Sequence, residues 1–261
     1  MAEYEPYLAF ATRVAAEAGA LIKENFLGTF GVDLKGATNL VTDVDRRSEA
    51  LIVDALARTF PSHGVVAEEG SRRGGDGGWR WYVDPLDGTN NFAHGYPMVA
   101  VSLALERDGD VVAGVVFDAL RGEAFWAARG GGASCGAGPL TVSAAAELSE
   151  ALVATGFPYD KHDSSVDNVA NFGRVAKRVR GIRRGGSAAL DLAYVAAGRL
   201  DGFWELKLSP WDTAAGILLV AEAGGEVSRI DGAAYKPGDV DLVATNGAIH
   251  DALRAFLALE G

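Results

Sequence analysis

The chain carries one cysteine, Cys135, among 261 residues, so it can form no internal disulfide. That thiol sits in a glycine-rich stretch, GASCGAG, with no histidine near it in sequence, and reads as inert rather than nucleophilic. A chain without disulfides suits a reducing compartment. No apolar run approaches the roughly 18 residues of a membrane span, and the opening MAEYEPYLAF is acidic where a secretory signal would be basic. The expected location is the cytoplasm, with no membrane partner. Positive charge is scarce: 24 Lys and Arg face 35 Asp and Glu, and the net charge of −11 opposes contact with nucleic acid phosphates. An anionic substrate would need a local source of positive charge. The four histidines (His63, His94, His162, His250) lack the spacing of a zinc site. RGGGASCGAG lacks the third glycine of a dinucleotide loop and leads into PLTVS rather than a helix, which excludes a Rossmann fingerprint there.

What is present is an ordinary globular composition, 49% hydrophobic and 23% charged. The length allows one large domain, read here as an N-terminal α+β half over about 1–145 and a C-terminal α/β half over about 146–261. Leu8, Ala11, Ala15, Ala18, Ile22 and Phe26 recur at helical spacing and predict an amphipathic first helix ending near Gly28. Thr42 and Asp45 form a candidate capping box for a second helix that stops at Pro61. HGVVAEE (63–69) reads as a strand ending in two acids, and GSRRGGDGG (70–78) as a mobile surface loop. WRWYV (79–83) reads as a buried strand, and 99–117 as a hairpin turning at Asp108-Gly109, with 123–128 as its third strand. Beyond it, ALVATGF and LDGFWELKL read as strands. Helices are expected over Ser187–Ala197, from Pro210 onward and over His250–Leu259, with a polar, partly helical segment over 161–178. This alternation implies an α/β fold of layered helices and sheets.

The chemical signal lies in the acids. Glu68, Glu69, Asp84, Asp87 and Asp212 all fall at the end of a predicted strand or the start of a predicted helix, where side chains from separate elements can converge. Two unit charges about 4 Å apart repel by about 4 kcal/mol at an effective dielectric near 20, so a converged cluster requires cations. Carboxylate and carbonyl oxygens without His or Cys suit a hard cation such as Mg²⁺. Gly88 and Thr89 follow the second aspartate and offer N–H groups to a phosphate beside the metal. Taken singly, each residue has a plainer reading: Asp45 and Asp212 as helix-start acids, the glutamates as solvated charges, DPLDG as a turn.

The motifs WYVDPLDGTNNF (81–92) and PWDTAAGILLVAEAGG (210–225) stand in order with LVTDVD (40–45), AEEG (67–70) and RRGGSAALDLAYVAAGRLDGF (183–203). Together they resemble the inositol monophosphatase family over almost the whole chain. The resemblance implies an αβαβα sandwich of the sugar-phosphatase type and a Mg²⁺-dependent, Li⁺-sensitive phosphomonoesterase, forming a homodimer. It implies two ions, with a third near Glu68: the first held by Glu68, Asp84 and the Leu86 carbonyl, the second by Asp84, Asp87 and Asp212. Asp45 and Thr89 would orient the attacking water, with Glu69 and Lys35 in support. Gly88 and Thr89 would hold phosphate, and Gly186, Ser187, Ala188 and Glu205 would meet sugar or cyclitol hydroxyls. The implied substrate is myo-inositol 1-phosphate or a similar small sugar or cyclitol monophosphate.

Three positions depart from the family pattern: Asn39 stands where an acid is common, Ser187 replaces a threonine, and Lys207 follows Glu205 by two. Lys207 could meet a second phosphate, which keeps fructose 1,6-bisphosphate and 3′-phosphoadenosine 5′-phosphate open as substrates, beside histidinol phosphate. A regulatory protein binding the transcription machinery is the alternative of a different class.

The sequence offers no side-chain nucleophile in an activating context, since no serine lies in a nucleophile elbow and the aspartates serve better against a cation. Water is therefore expected to attack directly in line. An ester chiral at phosphorus, hydrolysed in isotopically labelled water, should show inversion; retention, or a trapped phosphoenzyme, refutes the single-step mechanism.

Overall fold

In the computed structural model, residues 3–34, 40–136 and 138–258 are described. Lys35 and Asn39 lie outside them. In the N-terminal half, α1 (Glu5–Asn25) leads through a short ribbon, β1 (Val32–Leu34) and β2 (Leu40–Thr42), into α2 (Asp43–Thr59). There follow β3 (Gly64–Ala67), β4 (Arg72–Arg73), β5 (Trp79–Asp87), α3 (Thr89–His94) and the meander β6 (Ala100–Arg107), β7 (Asp110–Asp118), β8 (Glu123–Ala128), β9 (Gly132–Cys135) and β10 (Gly138–Pro139). The second half carries β11 (Leu152–Thr155), α4 (Val169–Ala176), β12 (Gly181–Arg183), α5 (Ala188–Ala196) and β13 (Gly202–Leu206). It closes with α6 (Pro210–Glu222), β14 (Glu226–Ser228), β15 (Asp241–Thr245) and α7 (His250–Arg254).

Strand alternation assembles five layers. The large sheet runs β10-β9-β8-β7-β6-β5-β3-β4 and the small one β12-β11-β13-β15-β14. On β6, Val101, Leu103 and Leu105 point into a core with Leu8, Val14 and Ile22 of α1 and Ile52 and Leu56 of α2, while Ala100 and Ala104 point into a second core with α5 and α6. That second core also takes Phe203 of β13 and Leu242 and Ala244 of β15, whose neighbours Trp204 and Val243 face Val175 of α4 and Leu253 of α7. The order is helices, sheet, helices, sheet, helices: the αβαβα sandwich. Among the described residues no helix is long and apolar enough to cross a membrane.

Local chemistry explains most boundaries. Thr42 caps α2, and the reciprocal box with Asp45 is complete. Four details differ from the sequence reading. The glycine-rich loop after Gly70 contains β4, because Val65 and Val66 pair with Arg73 and Arg72 and extend the sheet by one edge. Cys135 lies on β9, a strand that the sequence reading did not mark in its glycine-rich stretch. The last helix stops at Arg254 rather than near Leu259. The fourth concerns β5, which does not end at Val83. It continues to Asp87 through an irregularity in which Asp84 pairs with Ser102 and Asp87 with Ala100. Three residues advance on one strand against two on the other, as in a β-bulge. Residues three apart on a regular strand face opposite sides; the bulge restores Asp84 and Asp87 to one face, the side of α5 and α6.

Those two helices sit close to the sheet. A Cβ on Gly114 of β7 would lie 2.9 Å from Ala215 Cα on α6. Gly114→Val would raise strand propensity, yet it should destabilise the protein by about 1–3 kcal/mol through overpacking. For a chain of this size the melting temperature should fall by about 2–4 °C per kcal/mol. A melting temperature equal to or above wild type would show that the α6–β7 contact tolerates a larger spacing.

Candidate active site

A cleft of about 230 Å³ lies where the N-terminus of α6, the bulged end of β5, the turn after β3 and the end of β13 meet. It is lined by Glu68, Asp84, Leu86, Asp87, Gly88, Thr89, Gly186, Ala188, Glu205 and Asp212, ten of the residues singled out in the sequence. Each arrives for a local reason. Glu68 follows β3, its amide bonded to the Val83 carbonyl of the parallel neighbour β5. Asp212 is the third residue of α6, where its carboxylate accepts the Ser209 amide at 2.7 Å in a capping box. Gly88 has φ of 92°, and a Cβ there would stand 2.7 Å from the Met98 carbonyl, so glycine alone fits this turn into α3.

The carboxylates are anchored while crowding one another. Asp84 Oδ1 accepts the Leu86 amide at 3.0 Å. Asp87 Oδ2 accepts the Ser187 hydroxyl at 2.6 Å and the Ala189 amide at 2.8 Å. Burial, then the charges of Glu68, Asp87 and Asp212, push the Asp84 carboxyl well above its ordinary range. Burial raises Asp87 to about 6, against the Ser187 and Ala189 hydrogen bonds that favour its charged form. Asp212 is pushed up by burial, then by Glu68 and Asp87. Glu205 is raised to about 8 by burial, with the nearby Arg184 charge opposing the rise.

These acids offer only oxygen donors, the chemistry of a hard divalent cation. Among the described residues no three His, Cys, Asp or Glu side chains close into a ligand cage. The donor set nonetheless fits a cation, because burial, and after it the charge of neighbouring acids, disfavours the bare carboxylates of Asp84 and Asp212.

Other singled-out residues stand back from the cleft. Asp45 is fully buried; Oδ2 accepts the Thr42 amide at 2.9 Å, and Oδ1 accepts the Thr89 hydroxyl at 2.8 Å. Ser187 is buried too, and its hydroxyl caps α5 and holds Asp87, so its side chain is not placed to meet a substrate hydroxyl. Glu69 is not part of the lining, and its amide bonds Glu49 at 2.6 Å. Lys35 lies outside the described residues. Lys207 does line the cleft, but its ammonium donates to Asp160 and Ser164, both at 2.7 Å, rather than standing open to a second phosphate.

The sequence reading missed Phe157, Tyr159, Arg184 and Trp211 as parts of the lining. Arg184 had a signal: an acidic chain that handles an anion needs local positive charge, and RRGGS places arginines directly before a glycine-led helix start. The aromatic residues carried none, since aromatic side chains in a loop (Phe157, Tyr159) or at a helix start (Trp211) read as ordinary packing.

A model of the inositol monophosphatase family matches residues 3–258. The chain is 42% identical over 258 residues to an inositol-1-monophosphatase of Synechocystis sp., covering 98% of this chain and 90% of that one. It is 46% identical over 237 residues to the Nus factor SuhB of Pseudomonas aeruginosa, covering 87% of each. The solved inositol monophosphatase from Anabaena superposes with a TM-score of 0.89 at 40% identity, covering 99% of this chain and 98% of that one. Sequence and fold agree over nearly the full length: the chain belongs to the inositol monophosphatase family and is a phosphomonoesterase of that family.

Proposed function

We propose that the protein, working as one catalytic domain, is a Mg²⁺-dependent phosphatase that hydrolyses myo-inositol 1-phosphate or a similar small sugar or cyclitol monophosphate. The observation that carries this reading is the gathering of Glu68, Asp84, Asp87 and Asp212 around one cleft with Gly88 and Thr89 beside them. Glu68, Asp84 and the Leu86 carbonyl would hold one ion and Asp84, Asp87 and Asp212 a second, with a third near Glu68. Bound there, such ions neutralise the acids, lower the pKa of a water and stabilise charge on the phosphoryl and leaving oxygens.

The chain's own residues supply the alignment. Thr89 donates its hydroxyl proton to Asp45, which leaves the hydroxyl lone pairs to accept a hydrogen from the attacking water. The Gly88 and Thr89 amides would hold the phosphate, while Gly186, Ala188 and Glu205 would face the leaving group. Ser187 serves by fixing Asp87. Glu69 and Lys35 are assigned support of the water on the family resemblance alone. With Lys207 engaged by Asp160, a monophosphate is favoured over a bisphosphate. The lithium inhibition, homodimer and cytoplasmic location expected from the sequence belong to the same reading. A regulatory role of the kind the name Nus factor denotes is the second reading, favoured by the relatives that bear that name.

A panel of phosphate esters assayed with Mg²⁺ tests the proposal. Wild type should release phosphate from inositol 1-phosphate in preference to fructose 1,6-bisphosphate and histidinol phosphate. Asp84→Asn should cost at least about a thousandfold, since it removes the ligand shared by both ions. Activity within tenfold of wild type would sink the shared-ligand assignment.

A stability measurement provides a second test. The carboxyls of Asp87 and Glu205 are raised to about 6 and about 8. Acids raised in this way favour the folded state while protonated, and that contribution is lost as pH climbs from about 4 through their folded values. In chelator the melting temperature should fall between about pH 5 and about pH 8.5, and Mg²⁺ should recover most of the loss by binding only the folded cluster. A flat profile in chelator, or no response to Mg²⁺, would show that the acids do not share one cation site.

A further inference from the structure

The cleft has acids in excess, so its cations decide what else it can recognise. Among the described residues that line it, only Arg184 and Lys207 carry positive charge. Lys207 is engaged by Asp160 and Ser164. Arg184 forms no hydrogen bond and no ion pair with any described residue.

Its placement nonetheless has structural causes. Arg184 directly precedes Gly185 and Gly186, and Gly186 takes φ of +82°. A Cβ on Gly186 would lie 2.5 Å from Arg184 Nη1, so the guanidinium lies over that glycine and depends on its missing side chain. Behind the turn, the Gly185 and Gly186 backbone is held by the Asn91 amide, which donates to the Gly185 carbonyl at 2.9 Å. Asp191 on α5 is buried beneath, 2% exposed, and a Cβ on Gly185 would stand 2.7 Å from its carboxylate. Arg184 and Asp191 therefore lie on either side of a glycine turn without closing into a salt bridge. Arg184 also eases the charged form of Glu205, which faces the same cleft. The guanidinium lies near two acids, while its five N–H donors make no hydrogen bond with a described residue.

We propose that Arg184 is a specificity-determining residue, which donates hydrogen bonds to hydroxyl oxygens of a polyhydroxylated leaving group while Glu205 pairs with a neighbouring hydroxyl. The proposal rests on the reading of the cleft as a phosphate-ester site and deepens it by saying how the alcohol is chosen. Arginine supplies donors in a planar fork and glutamate supplies acceptors, so adjacent hydroxyls of a cyclitol or sugar satisfy both. An aryl leaving group offers no oxygen beyond the ester and gains nothing from the fork. Sites built to hydrogen-bond a hydroxyl discriminate strongly against analogues that lack it.

The experiment compares kcat/KM of wild type, Arg184→Gln and Arg184→Lys on inositol 1-phosphate, phenyl phosphate and fructose 1,6-bisphosphate, all with Mg²⁺. In wild type the inositol ester should be preferred to phenyl phosphate. In R184Q that preference should fall by about tenfold or more, mainly through KM for the inositol ester, as expected for a lost charge-assisted hydrogen bond. R184K, which keeps the charge without the fork, should recover part of it. Melting temperatures of the variants should match wild type, since Arg184 is exposed. Equal losses on both monoesters would make Arg184 a support of the phosphate or metal side and overturn the proposal. A greater loss on the bisphosphate than on the inositol ester would overturn it in favour of a second-phosphate contact. If wild type cleaves phenyl phosphate but no polyol ester, the substrate reading itself fails. If wild type prefers the polyol ester and R184Q keeps that preference, only the role of Arg184 fails.

Discussion

Repulsion between carboxylates that the fold holds around one small cleft is the constraint on which the rest of the structure depends. Any two unit charges brought to about 4 Å would oppose each other by about 4 kcal/mol even at a moderate dielectric, a large fraction of the net stability of an ordinary domain. The protein meets this by giving each acid its own anchor. Asp84 is tied to the Leu86 amide, Asp87 to Ser187 and Ala189, and Asp212 to Ser209. The anchors belong to separate elements, each stabilised by apolar packing remote from the cleft, so the core of the sandwich sustains the strain of the site. On the proposed reading, a cation bound there would relieve what the core sustains and so raise the stability of the folded state.

The geometry of that crowding depends on a single extra residue in β5. Asp84 and Asp87 stand three apart, a spacing that a regular strand would divide between opposite faces. The register shift against β6 brings both to the side of α5 and α6, where Ser187 and Ala189 wait at the start of one helix and Asp212 at the start of the other. The proline and glycine of DPLDG are legible in the sequence as an interruption, and they suggest a turn. A turn and a bulge draw on the same residues, and only pairing with a neighbouring strand separates them. For that reason the acids themselves were legible and the reason they face the same way was not.

The same division runs through the fold. The amphipathic face of α1, the capping box of α2 and the Asp108-Gly109 hairpin are local signals, written within a few residues, and all were readable. The edge strand β4 and the strand β9, next to the other edge, were not, because Arg72–Arg73 and Gly132–Cys135 have no strand pattern of their own and become strands only by pairing with their neighbours. Lys207 shows the same limit at the cleft: its position after Glu205 was visible, but the salt bridge to Asp160, 47 residues away in the chain, was not. Contacts that close large loops leave little trace in local sequence.

Asp45 shows how a structural and a functional reading can both hold for one side chain. As the third residue of α2, its Oδ2 accepts the Thr42 amide and completes the helix cap. Its other oxygen, Oδ1, accepts the Thr89 hydroxyl, 44 residues further along the chain at the start of α3. The cap fixes the carboxylate through the Thr42 amide and the Thr42 hydroxyl, so the second oxygen is presented to Thr89 with little freedom left to lose. Burial raises the Asp45 carboxyl, while the hydrogen bonds from Thr42 and Thr89 favour its charged form. A residue recruited to begin a helix thereby becomes the fixed acceptor that decides which way the Thr89 hydroxyl points, and through it which lone pairs face the cleft.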